Sequence, residues 1–465
     1  MLRNLSQVGL IVLLAIVALA WVVPAHAGEA EEEPSTPERI AVARNKTTAH
    51  PKDRVDAIRA LGSLNDVDEV RDQRVVDVLC DIAKDPQDDL FVRMETMNSL
   101  GNLQFALFQT DGLARNKYTI PFIGVLRGRN EEELIQTKVA QVFARTLPPD
   151  DLQAKQAITA MQDIAKTRTQ SLMLRVACVD ALSEIGSPDS FDTFSGILGQ
   201  SDLDQLLQER VLRGMAVLLG KITDPDNVKQ PSLATVNRIV DLVFSNRTPA
   251  EIRAVGYVAL ARMKKGGMIK TLELQPRLIK ILKEEDNGEL VVAAITAIGI
   301  LDKAGATPAL IAAYQDFFDK TNPTREADVK IRVGIVKTLG DLVNSQAGQR
   351  NPNNLAIRQT AELFLKIIEP VEENQEVETV KDNAIFGLRY YCHKKPAFQQ
   401  FHQRICQSMI LLLRKNRASG SLPPAILDTL TFVSRYPGGD DLTRWEKWYD
   451  AKYPTNKLPK EETQP

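Results

Sequence analysis

A short phrase recurs along the chain at a nearly constant interval, and this repetition limits the possible folds more than any other feature. Its clearest copy is Arg-Val-Asp-Ala-Ile-Arg-Ala-Leu-Gly at residues 54–62. A basic residue comes first, small residues follow three and six positions later, and Leu-Gly ends the phrase. Copies start at positions 54, 93, 137, 175, 212, 253, 291, 332, 381 and 423. A period near forty residues is typical of stacked helical repeats.

The spacing inside the phrase predicts one helix in each copy. Residues separated by three, seven and ten positions lie on one stripe of an α-helix. Small residues on that stripe let a neighbouring helix approach closely, and the Leu fills the remaining space. A companion helix precedes nearly every copy, as the apolar stretch 75–82 precedes Arg93. Because a two-helix unit cannot bury its apolar stripe alone, the units are expected to stack into an elongated array.

The phrase, the two-helix unit and the period together resemble HEAT repeats, with armadillo-like repeats as the nearest relative. The resemblance covers residues 38–437 and implies an all-α fold, an α-solenoid of about ten stacked two-helix repeats. The copies near Thr137, Leu212 and Pro423 depart from the pattern because they lack the basic residue. Solenoids of this kind hold other macromolecules, and the resemblance implies no catalytic residue.

Residues 1–27 have the pattern of a secretory signal peptide. Arg3 precedes the apolar run 8–23, and a small-x-small cleavage pattern ends at Ala27. Cleavage there predicts a periplasmic or otherwise extracytoplasmic protein that does not insert into a membrane. The alternative is a retained membrane anchor, but the run of 16 residues is shorter than the roughly 20 that span a bilayer.

The remaining segments lie at the two ends of the repeat array. Residues 28–37 are acidic and contain Pro, which predicts a disordered lead-in. The stretch 438–454 predicts an amphipathic helix that caps the last repeat with Trp445 and Trp448. Residues 455–465 are expected to form a disordered tail.

The charge balance argues against nucleic-acid binding. Removing Arg3 with the signal peptide leaves 57 basic and 60 acidic side chains, a net charge of −3. Nucleic-acid binding requires a basic stripe, and the sequence has no such excess.

The motifs predict no catalytic residue, no cofactor and no metal ion. Cys80 and Cys178 occupy apolar helix stripes and are interpreted as buried thiols. The strongest candidate for a metal or disulfide site combines Cys392 and Cys406 with two nearby histidines. A helical turn near residue 395 would offset the two cysteines along the helix axes by more than a disulfide spans.

These observations favour a non-catalytic scaffold that is exported and that holds a protein or peptide partner on the solenoid surface. Residues just outside the buried stripes are predicted to form that surface: Arg59, Asn98, Asp180 and Lys337. One alternative is a membrane-tethered structural subunit of a larger envelope assembly. The other is an enzyme similar to HEAT-like lyases, for which the sequence shows no paired acids on the expected inner face.

Overall fold

The computed structural model describes residues 33–72, 74–107, 112–128, 131–148, 152–222, 230–270, 272–319, 325–369, 376–416 and 423–459. Every regular element in these ranges is a helix, and the predicted all-α solenoid is confirmed. None of the helices in these ranges is long and apolar enough to cross a membrane. The predicted signal peptide, residues 28–32 of the lead-in and residues 460–465 of the tail lie outside the described residues.

The helices alternate between two layers, named here A and B, and each B helix carries one copy of the repeated phrase. In chain order the α-helices are α1 (Thr36–Arg44), α2 (Pro51–Gly62), α3 (Val67–Asp72), α4 (Val75–Lys84), α5 (Leu90–Leu107), α6 (Gly112–Arg127), α7 (Glu133–Thr146), α8 (Leu152–Lys166), α9 (Leu172–Ile185), α10 (Ser190–Leu198), α11 (Gln205–Lys221), α12 (Leu233–Phe244), α13 (Ala250–Lys265), α14 (Leu274–Glu284), α15 (Gly288–Leu301), α16 (Thr307–Asp319), α17 (Glu326–Gly348), α18 (Asn354–Ile368), α19 (Glu378–Leu388), α20 (Pro396–Gln399), α21 (His402–Asn416), α22 (Pro424–Ser434) and α23 (Leu442–Lys452). Helices α2, α5, α7, α9, α11, α13, α15, α17, α19 and α22 form the B layer. Helices α1, α4, α6, α8, α10, α12, α14, α16, α18 and α21 form the A layer.

The B helices pack on one another more closely than the A helices do. The small residues of the phrase explain this close approach. A Cβ atom added to Gly62 on α2 would lie 2.5 Å from the Ser99 Cβ of α5. Because the more closely packed layer lies on the inside of a curved array, the solenoid bends toward its B layer.

The repeated arginine is buried and joins neighbouring repeats. Arg54 donates from Nε to the Ala43 carbonyl at 2.9 Å and from both terminal nitrogens to Asp88, at 2.6 and 2.7 Å. In the next repeat, Arg93 makes the same kind of contacts with the Ala83 carbonyl and with Glu131. Each arginine therefore ties the end of its own A helix to the segment that begins the next B helix.

The structure also sets the register of two copies that the sequence placed differently. The side-chain amide of Gln136 donates to the Leu126 carbonyl at 3.0 Å, as the arginines do in other repeats. The copy on α7 therefore starts at Gln136, one residue before Thr137. Ser99 lies six residues after Arg93 and packs against Gly62 of the preceding repeat. Gly214 on α11 packs against Ser183 in the same way. That copy therefore starts six residues before Gly214, at Gln208, which is four residues before Leu212. In both copies a glutamine takes the place of the arginine.

The C-terminal helix α23 lies inside the stretch 438–454 that the sequence assigned to a cap. Trp445 is fully buried, and its ring N–H donates to the Gly439 carbonyl at 2.9 Å. Trp448 stacks on Tyr436 with ring centroids 5.4 Å apart. Helix α23 packs against α21 and covers the end of the array.

Candidate partner-binding site on the B face

The B helices present one side to solvent, named here the B face, and its side chains form three rows. The first row lies two residues before the start of each phrase. The second row lies five residues after that start, and the third row lies nine residues after it. Seven residues make about two turns of helix, so the first and second rows point in the same direction, about 10 Å apart. In each described repeat these positions are exposed or half-buried.

The first row is apolar in four consecutive repeats. Phe91, Leu134 and Met173 are 59%, 55% and 57% exposed, and Leu206 continues the row as a half-buried side chain. They lie on α5, α7, α9 and α11, one in each repeat. Consecutive packed helices are about 8–10 Å apart, which makes this row, named here the apolar row, roughly 30 Å long.

The other described repeats carry polar or charged residues at the same position. These residues are Lys52, Glu251, Glu289, Lys330 and Thr379, and all of them are exposed. Single exposed apolar side chains are common on protein surfaces. Here four consecutive repeats carry an apolar side chain at the same position, and the repeats on either side carry none there. This run of four therefore marks a distinct surface.

A groove of about 900 Å³ lies beside the apolar row on three of the same helices. Small residues on α5, α7 and α9 leave this space open between longer polar side chains. Its lining comprises Gly101, Asn102, Gln141, Ala144, Arg145, Ala177, Asp180, Ala181 and Glu184. The apolar row and the groove lie on the same face of these helices, and on α9 Met173 and Asp180 are about 10 Å apart along the helix axis.

The groove holds charged groups that are partly removed from water. Burial raises the pKa of the Asp180 carboxyl, although Arg210, 3.8 Å away, opposes the shift. Burial also lowers the pKa of the nearby Lys138 ammonium, and the positive charge of Arg145 lowers it further. A partner that offers opposite charges or hydrogen bonds to these groups would replace hydration that they have already lost.

The structure places all four residues predicted from the sequence in the second row of the B face. Arg59 donates to Glu95 at 2.8 Å, and Asn98 donates to the other oxygen of the same carboxylate at 3.2 Å. Asp180 lines the groove. Lys337 is exposed on α17, four B helices further along the array, and is not joined to the other three.

A second exposed cluster near the C-terminal end was not predicted. The Arg389 guanidinium lies over the Phe432 ring at 4.3 Å and the Phe386 ring at 5.1 Å. Both rings are 51% exposed. Phe386 occupies the second row, so the position that selected Lys337 would also have selected it. Aromatic and arginine side chains of this kind often dominate the binding energy of protein interfaces.

The described residues show no group of three or more His, Cys, Asp or Glu side chains arranged to hold a metal ion. All four cysteines are free thiols. His402 contacts the Tyr391 carbonyl at 2.5 Å through its ring Nε2.

Comparisons with known proteins agree with the fold. A crystal structure of importin beta in an ammonium sulfate condition matches with a TM-score of 0.61 and 12% identity, covering 90% of this chain and 55% of the other. A second importin beta structure, in a polyethylene glycol condition, matches with a TM-score of 0.59 and 12% identity, covering 85% and 53%. The chain thus spans about half the length of these structures. No family model and no curated protein matches the sequence.

Proposed function

We propose that this protein is a non-catalytic scaffold that holds a protein partner on its B face, outside the cytoplasm. The observation that carries the proposal is the apolar row beside the groove on α5, α7 and α9. An array gains no stability from leaving three aligned apolar side chains exposed and a fourth half-buried, whereas a docking surface uses them to bind a partner.

The size of the surface fits a protein partner. Full burial of an exposed Leu, Met or Phe side chain by a partner contributes about 1.5–3 kcal/mol to the free energy of binding. The groove adds charged and amide groups that fix the position of the partner, as polar groups do around the apolar core of an interface. The Arg389 cluster provides a second anchor for a partner long enough to reach it.

The export part of the proposal is supported by residues 1–27 alone. The intact mass of the native protein tests it. A mass that starts at Gly28 supports a released scaffold, and a mass that retains Met1 supports the alternative of a membrane-tethered subunit.

A matched pair of variants tests the binding surface. The first replaces the apolar row by Phe91→Ser, Leu134→Ser and Met173→Ser. The control replaces three leucines of the A layer that are at least as exposed, by Leu152→Ser, Leu233→Ser and Leu355→Ser. These leucines are 75%, 70% and 61% exposed.

Each variant is immobilised, exposed to a native periplasmic extract and analysed by quantitative mass spectrometry. We expect a protein that the wild type and the A-layer variant enrich equally and that the apolar-row variant enriches at least tenfold less. Equal enrichment by all three proteins would contradict binding at the B face. Circular dichroism checks that both variants keep the helical content of the wild type.

A further inference from the structure

A second pocket opens on the same face, at the C-terminal ends of α11 and α13. It has a volume of about 490 Å³ and is lined by Leu219, Gly220, Ile222, Arg262, Lys265, Gly266, Met268 and Ile300. Arg262 and Ile300 belong to the third row of the B face. The pocket therefore lies on the proposed partner-binding face. It shares α11 with Leu206 of the apolar row but shares no helix with the groove.

Arg262 brings a partly buried positive charge into this pocket. Its guanidinium donates from Nη1 to the Ala216 carbonyl. In the part of the chain that the structure describes, no carboxylate forms an ion pair with Arg262 or with Lys265. Burial lowers the pKa of the Arg262 guanidinium. By contrast, the Glu95 carboxylate raises the pKa of Arg59 on the same face. A partly buried charge of this kind gains from an anionic partner.

The C-terminal ends of two helices border the pocket, and free carbonyl groups at such ends would repel an anion. The last carbonyls of a helix carry partial negative charge when they are unsatisfied. Here the Arg262, Met263 and Lys264 carbonyls accept hydrogen bonds from the N–H groups of Gly266, Met268 and Gly267, respectively. On α11, the N–H of Ile222 donates to the Leu218 carbonyl. Four main-chain carbonyls near the two cationic side chains therefore already accept hydrogen bonds.

The rest of the pocket is apolar and open. Leu219, Ile222, Met268 and Ile300 supply aliphatic and thioether surface beside the two cations. Gly220 makes room for the Arg262 guanidinium, since a Cβ atom there would overlap its Nη1 atom. The ligand that matches these features has a carboxylate directly attached to an aliphatic group.

We propose that this pocket binds the C-terminal carboxylate of a polypeptide whose last residue is aliphatic. The carboxylate would accept hydrogen bonds from Arg262 and Lys265, and the last side chain would pack against Met268 and Ile300. This assignment rests on the proposed function, because the pocket shares the face on which a protein partner is held. A long-chain fatty acid has the same head-group chemistry and is the competing source of the carboxylate.

Titration of protein labelled with ¹³C at the methionine methyl groups tests the proposal, with Met268→Leu identifying the Met268 signal. The probes are acetyl-Gly-Ser-Gly-Leu-Leu with a free carboxylate, the same peptide as a C-terminal amide, and decanoate. We expect the free acid to shift the Met268 methyl signal and the amide to bind at least tenfold more weakly. Equal binding of acid and amide would overturn the proposal, as would tighter binding of decanoate than of the peptide acid.

Two variants test whether Arg262 and Lys265 bind the peptide carboxylate. Arg262→Gln and Lys265→Gln are each expected to weaken binding of the peptide acid at least fivefold. Lys264→Gln removes a neighbouring charge outside the pocket lining and is expected to bind as the wild type does. Unchanged binding by Arg262→Gln would refute the site. The peptide titration does not depend on the apolar row. Loss of partner enrichment therefore tests the proposed function, and loss of peptide binding tests this pocket separately.

Discussion

The ion pair between Arg54 and Asp88 gives the sharpest test of how the repeats are joined. The Arg54 and Asp88 side chains are 4% and 1% exposed. Asp88→Asn keeps the volume of the side chain but removes its charge and turns one acceptor into a donor that faces the guanidinium. Removing one partner of a buried ion pair costs about 3–5 kcal/mol. Because the asparagine oxygen still accepts one hydrogen bond, we expect about 3 kcal/mol.

A second ion pair between the same two repeats provides the control. Arg59 on α2 contacts Glu95 on α5 at 2.8 Å, but the Arg59 side chain is 54% exposed. Exposed pairs contribute about 0–1 kcal/mol, so Arg59→Gln is expected to cost less than 1 kcal/mol. Each variant also removes one longer ionic contact, from Asp88 to Lys46 at 3.8 Å or from Arg59 to Asp56 at 3.7 Å. The two variants therefore differ mainly in burial.

Hydrogen exchange measures the loss where it occurs, because an end repeat of a solenoid can open without global unfolding. A cost of about 3 kcal/mol corresponds to roughly a hundredfold loss of protection in the α1 and α2 amides. Arg59→Gln should lower protection there by less than about tenfold. Equal protection in the two variants would refute the conclusion that the buried arginines hold the repeats together.

The same pair predicts a pH dependence with a definite sign. Burial raises the pKa of the Asp88 carboxyl, but hydrogen bonds from Arg54 and from the Asp89 N–H outweigh it and hold that pKa below its ordinary value. The stabilisation is therefore fully present above the unfolded-state pKa and is lost as the pH falls through the folded-state pKa. The difference in protection between the wild type and Asp88→Asn should shrink in acid. A difference that grows as the pH falls would contradict this assignment.

Three further predictions concern packing. Gly62→Ala should lower the free energy of unfolding by about 1–3 kcal/mol, measured by urea unfolding, because the new Cβ would overlap Ser99. Gly101 occupies the same position of the next repeat, but no atom lies within 4 Å of a Cβ atom added there. Gly101→Ala should therefore be neutral or stabilising. Native alkylation should modify Cys392 alone, since the other three thiols are buried, and unfolding should raise the mass gain to four adducts. Trp445→Ala should cost about 3–5 kcal/mol in the same urea assay, and unchanged stability would show that α23 does not cap the array.

The repeat period and the small residues of the phrase were sufficient to predict the fold. Both are visible in a single sequence because the stacking of repeats demands them in nearly every copy. The copies at Gln136 and Gln208 were assigned wrong registers because the phrase was defined by a basic residue. The physical requirement is a long side chain that donates to a main-chain carbonyl, which the amide of Gln136 satisfies equally well.

The candidate partner-binding surface was predictable only in part. Arg59, Asn98, Asp180 and Lys337 occupy one position of the repeat, which helical phase can predict because it depends on local spacing alone. Their role in partner binding stays a prediction. Helical phase could not show that Arg59 and Asn98 share the Glu95 carboxylate, since the register of neighbouring helices decides that contact. The apolar row was missed because each of its residues, taken singly, resembles an ordinary helix start. Their alignment is visible only after the register of four repeats is known.

The most direct test of the scaffold proposal is photo-crosslinking in living cells from one position on each layer. A photoreactive amino acid replaces Met173 in the apolar row or Leu152 on the A layer, two exposed apolar positions of adjacent helices. The account predicts a discrete protein adduct from position 173 and none of that mass from position 152. The same adduct from both positions, or an adduct from position 152 alone, would contradict the assignment of the B face as the partner-binding surface.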